Sequence, residues 1–242
     1  MQSNSLIINL KDASFSYSGN KRILDHLSFQ LHSSDRIGLV GPNGSGKTTL
    51  FHIIMGLLRP SSGGVELFGK PAHEEKDFRE ARKKIGLLFQ DADDQLFSPT
   101  VLEDVAFGPL NLGKPPDEAR DIALKTLARL DLFGFENRIT YKLSGGEKRL
   151  VSLATVLAMD PKILLLDEPT NGLDDETEEK ITEILKGLNL AFIFISHNLD
   201  FLFQTTDKIY AMANGKISLD EELVPHPHIH VHKFGRLPHE HK

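Results

Sequence analysis

The sequence contains no cysteine and no tryptophan among its 242 residues. The absence of cysteine excludes disulfide bonds, zinc–thiolate sites and cysteine nucleophiles. No apolar run approaches the roughly 20 residues that a membrane-spanning helix needs. The N-terminus, MQSNSLIINLKDAS, also lacks the basic segment and apolar stretch of a signal peptide. These absences predict a cytoplasmic protein that requires a partner for any role at a membrane.

Positive charge is not in excess either. The chain has 28 Lys and Arg residues against 34 Asp and Glu residues, which gives a net charge of −6. This balance argues against general nucleic-acid binding. With 40% hydrophobic and 26% charged residues, the composition is typical of a soluble globular protein of one large domain or two small ones.

Short apolar runs predict an α/β fold. The first 40 residues contain three strand-like segments, LIINLKDASFSY, ILDHLSFQL and DRIGLV. The later runs KIGLLFQ, KILLLDE and LAFIFIS are almost continuously apolar, as buried parallel strands are. KIYAMANGKISL contains Asn214-Gly215 between apolar runs, which is a hairpin signal. We therefore expect an α/β core with an antiparallel N-terminal portion.

Between Gln90 and about Met159 the pattern changes to helical periodicity without a strand signal. We interpret this stretch as a helical subdomain, residues 93–157, inserted into a core formed by residues 1–92 and 158–224. The resulting domain spans residues 1–224, and a histidine-rich tail spans residues 225–242. The charged segment PAHEEKDFREARKKIG is predicted to be a solvated connector with one or two amphipathic turns.

A glycine-rich segment, GPNGSGKTTL, follows the strand IGLV and precedes a helical pattern. It fits the phosphate-binding motif G-x-x-x-x-G-K-[ST], in which backbone N–H groups surround phosphate oxygens. Lys47 then reaches the β and γ phosphates, the Thr48 hydroxyl ligates Mg²⁺, and Thr49 adds an α-phosphate contact. The alternative is an ordinary strand-to-helix turn. The predicted nucleotide-binding residues are Gly41, Pro42, Asn43, Gly44, Ser45, Gly46, Lys47, Thr48 and Thr49.

The buried run KILLLDE supplies two carboxylates at its end. Asp167 is placed to hold Mg²⁺ through water, and Glu168 to polarise an attacking water molecule. The alternative is that acidic residues simply end a strand at the edge of a sheet.

The stretch LSGGEKRL begins a well-patterned helix with two glycines. Ser144 and Glu147 have the spacing of a capping box, in which each side chain satisfies a backbone donor. Gly145 and Gly146 each cost about 0.5–1 kcal/mol relative to alanine inside a helix. They also leave the helix N-terminus bare for a phosphate group. The residues alone leave open whether this is a plain cap or a phosphate contact.

The order of these motifs from residue 41 to 197, namely the phosphate loop, LSGGE, LLLDEPTNGLD and a strand ending in Ser-His, resembles the ATP-binding cassette ATPases of transporters. The resemblance extends to about residue 224 and implies ATP and Mg²⁺ as ligands. It also implies a head-to-tail dimer, either of identical chains or with a paralogous cassette. In that dimer Ser144 and Gly146, with Gly145 between them, contact the γ-phosphate held by the partner chain.

Four further residues take roles from the same resemblance. Tyr17 corresponds to the aromatic residue that stacks on adenine, although it is also explicable as a strand residue packed on a neighbour. Gln90 corresponds to the glutamine that senses Mg²⁺ and the γ-phosphate. Asp174 corresponds to the aspartate at the dimer interface. His197 corresponds to the histidine that contacts the γ-phosphate and orders water, with a structural role as the alternative.

The stretch DADDQLFSPTVLEDVAFGPLNLG is similar to the corresponding segment of the energy-coupling-factor ATPases and the cobalt and nickel importer ATPases grouped with them. There the acidic segment lies in a groove that receives arginines of the transmembrane subunit. Asp93, Asp94 and Gln95 occupy those positions, and the alternative is a solvated acidic turn. The resemblance implies a peripheral protein at the cytoplasmic face of the membrane, with a transmembrane coupling subunit and a substrate-binding membrane subunit.

The tail contains alternating histidines that project to one face of an extended chain: His226, His228, His230 and His232. Imidazole suits Ni²⁺, Co²⁺, Cu²⁺ and Zn²⁺, so the tail is a transition-metal candidate, and a polar tail without function is the alternative. Together these observations predict the ATPase subunit of a cobalt or nickel importer. The alternatives are an ATPase for vitamin uptake, a soluble cassette protein acting on DNA or ribosomes, and a monomeric P-loop kinase.

Overall fold

A computed structural model of the chain describes residues 5–17 and 21–219. The strands are β1 Leu6–Ser16, β2 Arg22–His32, β3 Arg36–Val40, β4 Ser62–Leu67, β5 Lys70–Pro71, β6 Ile85–Leu88, β7 Ile163–Asp167, β8 Ala191–Ile195, β9 Lys208–Ala213 and β10 Lys216–Leu219. The helices are α1 Lys47–Ile54, α2 Glu75–Arg82, α3 Val101–Asn111, α4 Pro116–Arg129, α5 Gly145–Leu157, α6 Asp175–Lys186 and α7 Leu199–Thr205. Short 3₁₀ turns lie at Ala92–Asp94 and Thr140–Lys142.

The larger sheet has the strand order β10-β9-β3-β8-β7-β6. All its pairings are parallel except the β9–β10 hairpin, which turns at Asn214 and Gly215, both with positive φ. Every residue of β7 and β8 is buried, as the continuous apolar runs predict for strands in the middle of a parallel sheet. The predicted α/β core is confirmed.

The smaller sheet is antiparallel, with the order β2-β1-β4-β5. Strands β1 and β2 confirm the predicted antiparallel N-terminal portion. Strands β4 and β5 were not predicted from the sequence. β4 begins Ser-Gly-Gly and β5 has only two residues, so neither contains a run of alternating apolar side chains long enough to be recognised.

Helices α3, α4 and α5 occupy the chain between β6 and β7, where helical periodicity predicts them. They share an apolar core with the large sheet, in which Val105, Leu127 and Leu153 belong to the same cluster as Leu166 of β7 and Phe194 of β8. This shared core packs the helices against β7 and β8, the strands that precede the predicted site residues Glu168 and His197.

The charged segment before β6 forms α2, a helix of two turns that buries Phe78 and Ala81 and leaves most of its charged residues exposed. This agrees with the predicted amphipathic connector. Among the described residues, no helix has the length and apolar character needed to span a membrane.

Candidate functional site

Four parallel strands end at one edge of the large sheet, and each is followed by a predicted site residue. The phosphate loop follows β3, Gln90 follows β6, Glu168 follows β7, and His197 follows β8. The carboxyl edge of a parallel sheet is where ligands bind in open α/β folds. Residues from four separate stretches of the sequence therefore meet at this edge.

The phosphate loop has a conformation that its glycines make possible. Gly41 and Gly46 have φ angles of +149° and +109°, a region that L side chains rarely adopt. A Cβ atom on Gly41 would lie 2.2 Å from the backbone oxygen of Met212 in β9, so a side chain does not fit there. The loop is thus built by glycine and by its close approach to β9.

Lys47 is the first residue of α1, and its side chain folds back over the loop. Its Nζ atom donates hydrogen bonds to the backbone oxygens of Gly41, at 2.7 Å, and Pro42, at 3.1 Å. Burial lowers the pKa of Lys47, while the negative charges of Glu168 and Asp167 oppose that shift. A buried cation therefore faces two carboxylates across the cleft.

Thr48 and Asp167 meet although 119 positions separate them, with the Thr48 hydroxyl donating to Asp167 Oδ2 at 2.8 Å. A hydroxyl and a carboxylate are oxygen donors of the kind that Mg²⁺ takes. In the same loop the Ser45 Oγ atom is buried and has no hydrogen-bond partner within the described part of the chain. The donor set fits a Mg²⁺–phosphate group. Burial raises the pKa of Asp167, and the hydrogen bond from Thr48 opposes that shift.

Glu168 has a left-handed backbone with a φ angle of +48°. Its Oε2 atom accepts a hydrogen bond from the backbone N–H of His197 at 3.3 Å, and its Oε1 atom lies 3.4 Å from His197 Nε2. Burial raises the pKa of Glu168, and the nearby His197 opposes that shift. A carboxylate with a raised pKa and a histidine beside it is an arrangement suited to activating water.

These groups line one cleft of about 410 Å³. It gathers eleven of the residues that the sequence predicts for one chain's own site, namely Tyr17, Asn43, Gly44, Gly46, Lys47, Thr48, Thr49, Gln90, Asp167, Glu168 and His197. Gly41, Pro42 and Ser45 belong to the same loop without lining the cleft. The cleft also contains Ile23, Asn171 and Ile195, which no motif indicated, since isolated residues of these types have no recognisable spacing.

The surroundings of Tyr17 are compatible with both of its predicted roles, packing on a neighbouring residue and stacking on adenine. Its hydroxyl shares a hydrogen bond with Thr49 Oγ1 at 3.2 Å, and its ring packs edge-on against Phe15 at 5.0 Å. The residue is nevertheless 51% exposed and lines the cleft. A half-exposed aromatic face beside the phosphate loop is compatible with stacking on a base.

The glycine-rich turn before α5 forms the predicted capping box. The Ser144 side chain accepts from the backbone N–H of Glu147 at 3.3 Å, and the Glu147 carboxylate accepts from the N–H of Ser144 at 2.8 Å. Gly145 is exposed and Gly146 partly buried. None of the three residues Ser144 to Gly146 lines the 410 Å³ cleft of its own chain.

Asp174 is the N-cap of α6. Its carboxylate accepts from the backbone N–H of Thr177 at 2.9 Å and from the Thr177 hydroxyl at 3.1 Å. These hydrogen bonds from Thr177 lower the pKa of Asp174. Asp174 is exposed, so its role at a dimer interface stays a prediction.

The acidic segment after Gln90 lies along a second cleft, of about 710 Å³, that includes Asp93 and Asp94. Asp93 forms an ion pair with Lys148 of α5 at 2.5 Å. Unlike Asp93 and Asp94, Gln95 does not line this cleft. Its amide donates to the Ser152 oxygen at 2.8 Å and to Thr155 Oγ1 at 2.7 Å, so its side chain points towards α5 and is not free for a partner's arginine.

One residue of the site escaped the sequence motifs. Arg149 is buried in the protein and donates hydrogen bonds to backbone oxygens on both sides of the cleft. Burial lowers the pKa of Arg149 to about 10, so the side chain is charged at neutral pH. An arginine within a helix has no distinguishing signal in a single sequence.

The predicted transition-metal residues His226, His228, His230 and His232 lie outside the described residues. Within residues 5–17 and 21–219, no group of three or more His, Cys, Asp or Glu side chains is arranged to hold a metal ion. The metal-binding interpretation of the tail stays a prediction.

A phosphate loop, oxygen atoms suited to Mg²⁺ and a buried carboxylate at the carboxyl edge of a parallel sheet are the features of a P-loop nucleoside triphosphatase. Residues 24–171 match the family model described as ABC transporter. The chain belongs to this family and is an ATPase.

Two relatives are similar over most of their length. A putative ABC transporter ATP-binding protein of Nitratidesulfovibrio vulgaris is 49% identical over 97% of this chain and 86% of the relative. The energy-coupling factor transporter ATP-binding protein EcfA of Methanocaldococcus jannaschii is 43% identical over 87% of this chain and 77% of the relative.

Two solved structures share the fold. One is cbiO1 of Clostridium perfringens, described as part of the ABC transporter complex cbiONQ, with a TM-score of 0.79, 35% identity, and coverage of 88% of this chain and 87% of that one. The other is a dimeric ATP-binding cassette bound to ADP and phosphate, with a TM-score of 0.80, 27% identity, and coverage of 88% and 98%.

Proposed function

We propose that this chain is the ATP-hydrolysing subunit of an importer of the energy-coupling-factor type. The proposal rests on where the predicted residues lie: most line the 410 Å³ cleft, whereas those of the turn before α5 do not. The phosphate loop, Asp167 and Glu168 share the 410 Å³ cleft, whereas Ser144–Gly146 does not line it, and Gly145 lines the neighbouring 710 Å³ cleft with Thr48, Gln90 and Asp167. A second chain that brought its own Ser144–Gly146 turn to the 410 Å³ cleft would supply the γ-phosphate donors that this cleft lacks.

Within the cleft the residues have distinct tasks. Lys47 and the loop amides bind the phosphates, and Thr48 and Asp167 would hold Mg²⁺, which would supply positive charge to the phosphate oxygens. Glu168 accepts a proton from the attacking water, and His197, whose Nε2 atom lies 3.4 Å from Glu168 Oε1, is close enough to contact the same water molecule. Gln90 lines both clefts and stands between the nucleotide and the acidic segment.

Substitution Glu168→Gln tests the chemistry and the dimer together. We expect ATP binding to persist, turnover to fall by about 10²-fold or more, and ATP to shift the chain to the size of a dimer in gel filtration. The matched control is Glu183→Gln on α6, whose carboxylate pairs with Lys186 at the surface. Turnover equal to that of the unmodified chain would remove Glu168 as the base.

The acidic segment is the proposed contact with a transmembrane subunit. Asp93 is already held by Lys148, whereas Asp94 is exposed and its carboxylate has no partner among the described residues. An arginine from the membrane subunit has two carboxylates within reach if it displaces Lys148. The chain after Asp94 also contains two exposed aromatic residues, Phe97 and Phe107, whose ring centroids are 4.7 Å apart.

Charge reversal at Asp93 and Asp94 to lysine should abolish recovery of the membrane subunit in a pull-down and leave the ATP affinity of the isolated chain unchanged. The matched control reverses two exposed aspartates of α4, Asp117 and Asp121, and should not affect recovery. Normal recovery with both groove aspartates reversed would contradict the docking site.

For the substrate we propose cobalt or nickel ions. The resemblance of the segment after Gln90 to the cobalt and nickel importer ATPases and the alternating histidines of the tail support a metal. The similarity to the energy-coupling factor ATP-binding protein EcfA leaves an importer ATPase for vitamin uptake as an equally supported alternative. The first test is purification of the intact membrane complex and identification of its bound substrate. The second is calorimetric titration of the full chain with Ni²⁺ and Co²⁺, compared with a variant in which His226, His228, His230 and His232 are asparagine. Identical traces would show that these four histidines do not bind Ni²⁺ or Co²⁺.

A further inference from the structure

Arg149 lies on α5, and its side chain is almost completely enclosed, with 4% of the residue exposed. Its Nε atom donates to the Pro169 oxygen at 2.9 Å. Its Nη2 atom donates to the oxygens of Asp167, at 2.8 Å, and Glu168. On the other side, Nη1 donates to the oxygens of Phe89 and of Gln90, the latter at 3.3 Å.

The acceptors explain why this position holds an arginine. All five are backbone oxygens, and no carboxylate of the described residues forms an ion pair with the guanidinium. A buried charge is costly unless every donor is satisfied, and a guanidinium offers five N–H groups in a fixed plane. Lysine has the same charge but only three donors on one nitrogen. The site therefore requires the planar fork as well as the positive charge.

The acceptors also belong to the two segments that carry the proposed chemistry. Phe89 and Gln90 directly follow β6, whereas Asp167 ends β7 and Glu168 and Pro169 directly follow it. Glu168 in particular has a left-handed backbone, which costs a non-glycine residue free energy and persists only where its surroundings enforce it. Three of the hydrogen bonds from Arg149 are made to the oxygens of Glu168 and its two neighbours.

We propose that Arg149 is a positioning residue for ATP hydrolysis, which holds the backbones of Gln90 and Glu168 so that their side chains face the nucleotide. This inference depends on the proposed role of Glu168 as the base. Arg149 does not line the 410 Å³ cleft and donates no hydrogen bond to the carboxylate of Glu168, so it acts through the backbone.

The same helix begins at the Ser144–Gly146 turn, which is proposed to contact the partner's nucleotide. Arg149 stands four residues beyond Gly145, about 6 Å along the helix axis. Gln95 and Lys148 add two further contacts between α5 and the segment after β6. Arg149 is therefore the side chain that joins α5 to the backbones of both Gln90 and Glu168, and a displacement of α5 at the turn would reach these two residues through it.

The test compares Arg149→Lys with the unmodified full-length chain over a series of ATP concentrations. We expect kcat to fall about tenfold or more, because small displacements of catalytic groups are costly. KM for ATP should change less than about threefold, because the contacts of the phosphate loop are untouched. The matched control is Arg36→Lys, another arginine that donates to backbone oxygens, those of Lys186 and Leu188, outside the cleft. It should retain the kcat of the unmodified chain.

A second comparison separates positioning from general structural damage. If Arg149 acts through Glu168, then Arg149→Lys should cause little further loss in a chain that already has Glu168→Gln. Full additivity of the two losses would overturn the inference. Should Arg149→Lys not fold, as judged by circular dichroism, the neutral Arg149→Gln serves in both comparisons, because it keeps two N–H donors without a buried charge.

The outcomes distinguish this inference from the proposed function. An unchanged kcat in Arg149→Lys, together with a large loss in Glu168→Gln, rejects the positioning role and leaves the base assignment intact. An unchanged kcat in Glu168→Gln rejects the base assignment, and with it the pathway through Arg149.

Discussion

The substitution Gly145→Ala separates the two roles of the turn before α5, because it should stabilise the protein and inactivate it. Gly145 is the first residue of α5, is exposed, and has no positive φ angle. A Cβ atom at this position would have no neighbour within 4 Å in the isolated chain. Alanine therefore fits the folded chain without strain. Gly146 is less suitable, since its Cβ would lie 3.0 Å from Thr177 Oγ1.

The size of both effects follows from the geometry. Alanine is favoured over glycine in a helix interior by about 0.5–1 kcal/mol, which is the upper bound for Gly145 at the first position of α5. For a protein of this size that free energy corresponds to a rise in Tm of roughly 1–4 °C. If the partner's γ-phosphate approaches the bare backbone N–H groups, a methyl group at Gly145 obstructs it. Losing such preorganised donors costs about 10²-fold or more in kcat.

The assay combines thermal unfolding of the isolated chain with ATPase measurements at concentrations that permit dimerisation. The control Gly64→Ala, in β4, also places its Cβ in open space and should leave turnover unchanged. A Gly145→Ala chain with a raised Tm and full ATPase activity would show that the turn is only a helix cap. The proposal of a nucleotide shared between two chains would then fail.

Three further predictions concern the same regions. Asp104→Ala should reduce the free energy of unfolding by about 3–5 kcal/mol, measured with urea, because the buried carboxylate accepts from the N–H groups of Phe97 and Ser98 and from the Thr140 hydroxyl; Asp104→Asn should lose less. Because burial raises the folded-state pKa of Glu168 above its usual 4.5, its charged form opposes folding, so Glu168→Gln should raise Tm at pH 7, and the gain should shrink as the pH falls through the raised pKa and be nearly absent below 4.5; a gain that grows in acid would contradict this. Thr48→Val should abolish the increase in ATP affinity that Mg²⁺ produces, measured by titration with and without the ion, and an unchanged increase would remove Thr48 from the metal site.

The sequence was sufficient for the features that depend on neighbouring residues. The phosphate loop, the capping box of Ser144 and Glu147, and the hairpin at Asn214-Gly215 are all present as their local patterns indicate. Glycines, cap residues and apolar runs act over a few positions, so their consequences are visible in a short window. The strand β4 escaped because two glycines interrupt its pattern.

Only the tertiary structure determined the contacts that bring these motifs together in one site. Arg149 reaches the oxygen of Phe89, 60 positions away, and Gln95 reaches Ser152 across 57 positions. Gln95 is instructive, since the sequence placed it beside Asp93 and Asp94 in a docking groove, whereas the fold directs its amide into α5. Periodicity and motifs in the sequence indicated the strands and helices and the residue types that the site uses. Which of them face one another depended on how the sheet brings distant strand ends to a single edge, and no local pattern encodes that arrangement.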